Sequence, residues 1–345
     1  MHISEFDYEL PPELIAQEPL AQRSASRMLV LDRHKGQWVD TQFTALFDYL
    51  QPNDVLVLNN TRVIPARLWG ERDPSGGRLE ILLVREIEPL VWEAMVRPGS
   101  RLKTGARIRF GDANLRAQVV DLSTGGGRVL RFECDDSLDK ILDEIGETPL
   151  PPYIKRPAGA TEKDRERYQT VYARSRGAIA APTAGLHFTR KDLHELRERG
   201  VKTVELTLHV GYGTFEPVRV ENVDEHQVAS ERLEINTGAA ATINDARAKG
   251  ARVIAIGTTT ARALESAVTA AGQIEAGNRD AGLTVVPGYV FRVVDALITN
   301  FHLPRSSLLL LVCAFAGRAL VLDAYRHAVA TKYRFYSYGD CMLII

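Results

Sequence analysis

Between about Leu68 and Leu150 the sequence changes texture, and this change limits the possible folds more than any other feature. Short stretches such as LEILLV, VWEAMV, ARIRF, LRAQVV and RVLRFE are separated by turns at Ser75-Gly76-Gly77, Pro98-Gly99, Thr104-Gly105 and Gly125-Gly126-Gly127. Alternating runs at roughly 8–12-residue spacing, divided by Gly and Pro, predict antiparallel strands of a small barrel or sandwich. The segment closes on Leu138 to Ile145, then Pro149, Pro151 and Pro152, a junction back to a different kind of chain.

Outside that segment, apolar runs alternate with helical patterns. Val55 to Leu58 reads as a buried strand ending in Asn59-Asn60-Thr61. Ala178 to Ala181 leads into a Pro-Thr-Ala-Gly loop and a helix around Lys191 to Arg199, and Val204 to Val210 alternates apolar with polar residues. Arg252 to Ile256 precedes Gly257, three threonines and a helix through Ala271, and Val293 to Ile298 precedes Thr299 to His302 and an apolar helix from Ser306. Strands alternating with helices imply βαβ units and a largely parallel sheet. The predicted fold is α/β, a mixed or parallel-sheet domain interrupted by an inserted antiparallel β-barrel-like domain. The expected division is 1–67 plus 151–345 for a discontinuous catalytic domain and 68–150 for the insertion. A length of 345 residues accommodates two domains.

The net charge of −1 excludes a protein that coats nucleic acid through bulk positive charge. It conceals an uneven distribution. Residues 61–120 carry 11 basic against 7 acidic groups and 151–200 carry 11 against 6, while 1–60 carry 4 against 9. Cys134, Cys313 and Cys341 are odd in number and far apart, which reads as a reducing compartment without disulfides. The start, MHISEFDYEL, lacks a basic-then-apolar leader, and the longest apolar run, Leu308 to Ala316, is far short of the roughly 20 residues needed to span a bilayer. A cytoplasmic protein with no membrane partner is expected, working as a monomer.

In open α/β sheets ligands bind beyond the carboxyl ends of the strands. Five such ends are polar here: NNTR (59–62), PTAGLHF (182–188), HVGYGTFEPV (209–218), GTTTAR (257–262) and TNFHLPRS (299–306). Any one of them is ordinary capping or turn chemistry; together they predict a polar pocket. Thr258, Thr259 and Thr260 open a helix whose N-terminus, helped by Arg262, suits an anion. His187, His209 and His302 each read singly as structural groups, and as a trio on one rim as acid–base candidates. Glu216 reads either as a surface salt bridge or as a partner for a ribose hydroxyl or a cation. KYRFYSYGD (332–340) reads equally as a packed edge strand or as a stacking platform for bases. Four cations between Arg101 and Arg109 form a solvated face or a phosphate track. No P-loop, GxGxxG, GxSxG or HExxH occurs, and no metal-ligand spacing, so no metal site is expected.

Read together, FDYELPPELIAQEP (6–19), SRMLVLDR (26–33), VLNNTRVIPARLWG (57–70), YQTVYAR (168–174), GAIAAPTAGLHFT (177–189), TLHVGYGTFEPV (207–218), TNFHLPRSSLLLLVCAFAG (299–317) and YRFYSYGDCMLI (333–344) resemble the S-adenosylmethionine:tRNA ribosyltransferase-isomerase family of queuosine biosynthesis. The resemblance runs from Phe6 almost to the last residue. It implies transfer of the ribosyl part of S-adenosylmethionine to 7-aminomethyl-7-deazaguanine at the tRNA wobble position. The products are epoxyqueuosine-tRNA, adenine and methionine, and S-adenosylmethionine is consumed as substrate with no other cofactor. It also implies an α/β domain interrupted by a β-barrel.

On that resemblance the rim residues acquire expected roles. His187, His209 or His302 supplies a base, with Glu216 beside them, and Arg262 or Thr258 anchors the methionine carboxylate. S-adenosylmethionine is expected at Asn60, Arg62, Thr183, Gly211, Gly213, Thr258, Thr259, Arg262 and Asn300. The tRNA is expected at Arg101, Lys103, Arg107, Lys155, Arg156, Arg334 and Tyr336. Two departures stand out. Where the family carries His-x-Met-His-Ser-Glu, this chain has His226 to Glu231 with Ala229 in place of the second His, and Ala281 to Val286 replaces a Thr-Asp-containing stretch. An alternative is therefore a divergent paralogue that binds tRNA or S-adenosylmethionine without this turnover.

Overall fold

A computed structural model of the chain describes residues 1–100, 102–111, 114–123, 126–211, 213 and 218–345. Strands β1 (Arg27–Asp32), β2 (Gln37–Gln42), β3 (Val55–Asn59) and the short β4 (Thr61–Val63) come first. Next are β5 (Arg67–Asp73), β6 (Arg78–Glu88), β7 (Val91–Arg97), β8 (Arg107–Arg109), β9 (Leu115–Leu122) and β10 (Arg128–Cys134), followed by helices α1 (Leu138–Ile145) and α2 (Glu162–Arg167). Then come β11 (Ser175–Ala178), α3 (Arg190–Glu198), β12 (Lys202–Leu208), β13 (Glu231–Ile235), α4 (Thr237–Ala248), β14 (Val253–Ile256) and α5 (Thr258–Ala267). The chain ends with β15 (Gly277–Ala281), β16 (Ala296–Asn300), α6 (Ser307–Ala316), α7 (Arg318–Ala330) and β17 (Cys341–Ile344).

Nine strands form one mixed sheet in the order β15-β13-β12-β3-β14-β16-β17-β1-β2. Its centre, β12-β3-β14-β16, is parallel, and the neighbours β13, β15, β17 and β2 introduce antiparallel pairs. Successive side chains point to opposite faces, so the continuous apolar runs of the central strands dry both of them. Val55 and Val57 of β3, and Val253 and Ala255 of β14, pack with α4 to α7. Leu56, Leu58, Ile254 and Ile256 point the other way, onto Phe43, Phe188, Leu193 and Leu196. Burying each such Val, Leu or Ile side chain is worth roughly 1.5–3 kcal/mol, so the two faces together specify the register. Among the described residues no single helix is long and apolar enough to cross a membrane.

The six strands β10-β7-β6-β5-β8-β9 close into an antiparallel barrel, which decides between the barrel and the sandwich. Leu68, Ile81, Leu83, Val96, Ile108, Leu115, Val119, Leu130 and Phe132 fill it, and α1 adds Leu138, Ile141 and Leu142. The return from α1 turns at Gly146, where a Cβ would meet Pro65 O at 2.1 Å and Leu142 O at 2.5 Å. Only glycine fits so close an approach.

Two local expectations change. The strand expected at 178–181 is not there: 179–181 are irregular, and the strand β11 lies just before them at Ser175–Ala178, where it pairs with β4 in a two-stranded ribbon rather than joining the large sheet. The aromatic segment 332–340 is neither edge strand nor exposed platform. Tyr333, Phe335, Tyr336 and Tyr338 are all buried, because they pack into the sheet-and-helix core and against the pocket described next.

Candidate active site

The ends of the parallel strands build one site. Thr183 and Ala184, Val210, Gly257 to Thr259, and Thr299, Asn300 and His302 line a cleft of about 480 Å³ with Tyr153, Leu308, Tyr336 and Ser337. Four of the five polar loops thus converge. The fifth, after β3, does not. Asn60 bonds Thr207 Oγ1 at 2.7 Å and Glu205 at 3.1 Å, which ties β3 to β12, and Arg62 is exposed outside the cleft. An adjoining lobe of about 510 Å³ shares Thr258, Thr259 and Leu308 and adds Gly213, Val228, Ala229, Glu231, Arg262, Val285 and Ser307.

The first lobe has aromatic walls. The Tyr153 and Tyr336 rings meet edge to face with centroids 4.0 Å apart, and the Tyr153 hydroxyl lies 2.5 Å from Ser337 Oγ. Tyr336 holds φ of 72°, a left-handed backbone that costs a bulky residue energy. Its N–H donates to Phe301 O at 3.0 Å, and its carbonyl accepts from Asn300 Nδ2 at 2.9 Å. The surrounding hydrogen bonds therefore impose the strain, and they aim the ring at the cleft.

The three histidines separate. His302 lines the first lobe, with Nε2 2.8 Å from Thr299 Oγ1, and its backbone is held by Tyr325 and Tyr8. Burial pushes its imidazole down to about 3. His187 lines a neighbouring cleft with Arg23 and Arg167 and bonds Ser26 through Nδ1 at 2.7 Å; burial lowers it to about 4. His209 bonds Thr61 at 2.9 Å and packs on Gly177, outside both lobes, and burial with Arg232 nearby lowers it to about 4. All three are neutral near pH 7 because a charged imidazole in these surroundings has lost its water.

Arg262 reaches the second lobe already paired with Glu231, whose Oε1 accepts the Gly211 N–H at 2.7 Å. Burial lowers the Arg262 guanidinium to about 10. Ala229, where the family pattern carries histidine, leaves this lobe more apolar, and a Cβ on Gly213 would come within 3.2 Å of it. Glu216 and Arg101 lie outside the described residues.

The cations expected at tRNA divide in the same way. Lys103 and Arg107 are exposed on the barrel, and Lys155 is exposed at its junction. Arg156 is held by Asp164 at 2.9 and 3.0 Å, with Glu18 2.9 Å away, so it fastens the α2 cap. Arg334 donates to Glu18 O, and Tyr336 belongs to the cleft. Sequence reasoning missed Tyr153, Glu231, Ser307 and the pair Arg23 and Arg167. Tyr153 closes the Pro149–Pro152 junction and carries no local signal of a site, whereas Glu231, which opens β13, ends the stretch aligned with the family's His-x-Met-His-Ser-Glu pattern. Among the described residues no group of three His, Cys, Asp or Glu is placed to hold a metal.

Fold and site define an α/β protein with an inserted barrel and a two-lobed cleft at its parallel strand ends, the usual place for small-molecule chemistry in such sheets. The model of the family described as queuosine biosynthesis protein matches residues 3–344. The chain is 52% identical to the S-adenosylmethionine:tRNA ribosyltransferase-isomerase of Halothermothrix orenii, over all of both chains. It is 53% identical to that of Moorella thermoacetica, again over all of both. The crystal structure of S-adenosylmethionine tRNA ribosyltransferase from Thermotoga maritima is similar with a TM-score of 0.55 at 38% identity, covering 99% of this chain and 100% of that one. The chain belongs to the queuosine biosynthesis protein family.

Proposed function

We propose that this enzyme transfers and isomerises the ribosyl moiety of S-adenosylmethionine onto 7-aminomethyl-7-deazaguanine at the tRNA wobble position, giving epoxyqueuosine-tRNA, adenine and methionine. Full-length identity of 52% and 53% to proteins named for that reaction carries the reading. In this reading the enzyme works as a monomer. Three free cysteines support a cytoplasmic setting. S-adenosylmethionine is consumed, and no further cofactor is needed.

The chemistry needs a base for the carbon beside the sulfonium, support for departing adenine, and a neutral amine on the acceptor base. His302 is the histidine that lines the aromatic lobe, and its depressed basicity keeps it in the proton-accepting form. The burial that keeps the ring unprotonated also weakens it as a base, and the positive sulfur lowers the barrier by acidifying the carbon that the ring deprotonates. Tyr153 and Tyr336 offer adenine an aromatic wall, with Thr183 and Asn300 at its rim. Lys103, Arg107 and Lys155 extend the contact with tRNA along the barrel side.

Purified protein given S-adenosylmethionine and tRNA bearing the precursor base should release adenine stoichiometrically with modified tRNA. Intact tRNA binding without adenine release would favour the non-catalytic paralogue, and S-adenosylhomocysteine as product would mark a methyltransferase.

A further inference from the structure

A smaller cleft, of about 310 Å³, meets the aromatic lobe at Ser337 and is lined by Arg23, Arg167, His187 and Tyr338. Its two half-buried guanidiniums are held by carbonyls and neutralised by nothing. Arg23 Nη1 donates to Leu186 O at 3.1 Å, and Arg167 donates to Ala21 O at 3.1 Å and to Leu20 O at 2.7 Å. These bonds fasten the 20–23 segment and leave both charges in place, and Arg167 Nε is buried without a hydrogen-bond partner. Asp164 and Glu18, the carboxylates whose charge reaches Tyr338, are each held by Arg156 at 2.9 Å. Among the described residues no carboxylate forms an ion pair with Arg23 or Arg167.

The cost shows in Arg23. Burial lowers its guanidinium below the ordinary value, and repulsion from Arg167 lowers it further than the field of Glu166 restores. Two like charges that have lost much of their water favour an anion between them. Tyr338 adds a neutral donor. It is 5% exposed, its ring packs edge to face on Tyr168 with centroids 6.0 Å apart, and its hydroxyl is buried with no hydrogen-bond partner. A buried donor without an acceptor is unfavourable. His187 is already engaged by Ser26 and Asn300 and adds no charge.

One anion with several acceptor oxygens satisfies both guanidiniums and the hydroxyl together. Arg23 and Arg167 also line the open groove outside, so the cleft is entered from the surface. A group inside a continuous chain needs such an entrance, since the chain must leave again on both sides. We propose that this cleft is a phosphodiester subsite: it holds a backbone phosphate adjoining the acceptor nucleotide of the substrate RNA, whose base enters the aromatic lobe past Ser337. Arg23 and Arg167 donate to the non-bridging oxygens, and Tyr338 Oη donates to one of them. This subsite presupposes the proposed reaction and names the groups that seat its RNA.

The test measures adenine release and tRNA affinity with tRNA bearing the precursor base. The same tRNA is also made with one neutral methylphosphonate linkage on one or the other side of that nucleotide. Wild type should lose roughly ten- to a hundredfold in kcat/KM on one of the two neutral linkages, the value of a charge-assisted contact. Arg23→Gln should lose a similar factor on ordinary tRNA, with KM for S-adenosylmethionine unchanged and a salt slope smaller by about one. On the sensitive neutral linkage Arg23→Gln should lose little more, because that contact is already gone, whereas a merely structural role would let the two losses add. Tyr338→Phe should show the same pattern at smaller amplitude. A wild type that tolerates both neutral linkages overturns the subsite, and that arm needs no variant to fold. A raised KM for S-adenosylmethionine in Arg23→Gln, with the tRNA constants unmoved, assigns the anion to the smaller substrate and overturns the RNA reading. Inhibition by inorganic phosphate that vanishes in Arg23→Gln, while KM for tRNA stays put, marks a free-anion site and overturns it too. No adenine release from wild type defeats the proposed reaction alone, and tRNA affinity across the three RNAs then decides the subsite.

Discussion

Thr299 Oγ1 lies 2.8 Å from His302 Nε2, inside the first lobe and three residues along the same strand-end turn. Thr299 thereby fixes the imidazole that lines the aromatic lobe, its ring centroid 6.5 Å from that of Tyr336. His302→Gln should lower kcat for adenine release by about two to four orders of magnitude, the usual range for a lost general base, with KM for tRNA unchanged. Thr299→Val should cost less, because the ring stays but is less well aimed. Wild-type turnover in His302→Gln would place the base elsewhere.

The same burial makes a prediction about acid. His302 moves from the ordinary 6.5 to about 3, and His187 and His209 to about 4. Between those values and 6.5 the unfolded chain binds protons that the folded chain refuses. Stability is therefore full above about pH 6.5 and falls as pH drops through the window toward 4. Melting temperature followed from pH 7.5 to 4.5 should fall, and less steeply in a folded His187→Gln variant. A flat profile would mean these rings are hydrated in solution.

Glu265 of α5 accepts from Tyr289 Oη at 3.0 Å and from the backbone N–H groups of Arg292, Val293 and Val294 at 3.0, 2.9 and 3.0 Å. One carboxylate thus fastens the approach to β16, and with it the loop that carries His302. Glu265→Ala strands several buried donors and should destabilise the protein by about 3–5 kcal/mol, measured by urea unfolding. Glu265→Gln should cost less, since it keeps one acceptor.

Lys103 and Arg107 are exposed and have no carboxylate partner among the described residues. Charge reversal at both should raise KM for tRNA, more strongly at low salt, and leave KM for S-adenosylmethionine alone. Arg156→Ala should instead lower the melting temperature, because Arg156 is bound to Asp164 and Glu18. If reversal at 103 and 107 leaves both constants unchanged, this face is merely solvated.

Much of the architecture was legible locally. The continuous apolar runs in Val55–Asn59 and Val253–Ile256, and the glycines between short barrel strands, are read within a few residues from side-chain type and backbone sterics. Those same patterns put Thr258, Thr259, Asn300 and His302 at strand ends, where a ligand site belongs.

Partners distant in sequence were not legible, because nothing local encodes them. The sequence by itself determined the kind of each element and the polar character of its ends. Only the tertiary structure placed β17 between β16 and β1, closed the barrel through the pairs β5–β8 and β7–β10, and separated His209 from His302. It also joined Arg262 to Glu231 and left the Thr259 hydroxyl facing open space. Element type follows from short-range periodicity, whereas which charges meet and which hydroxyl stays unpartnered depends on how buried elements distant along the chain pack together.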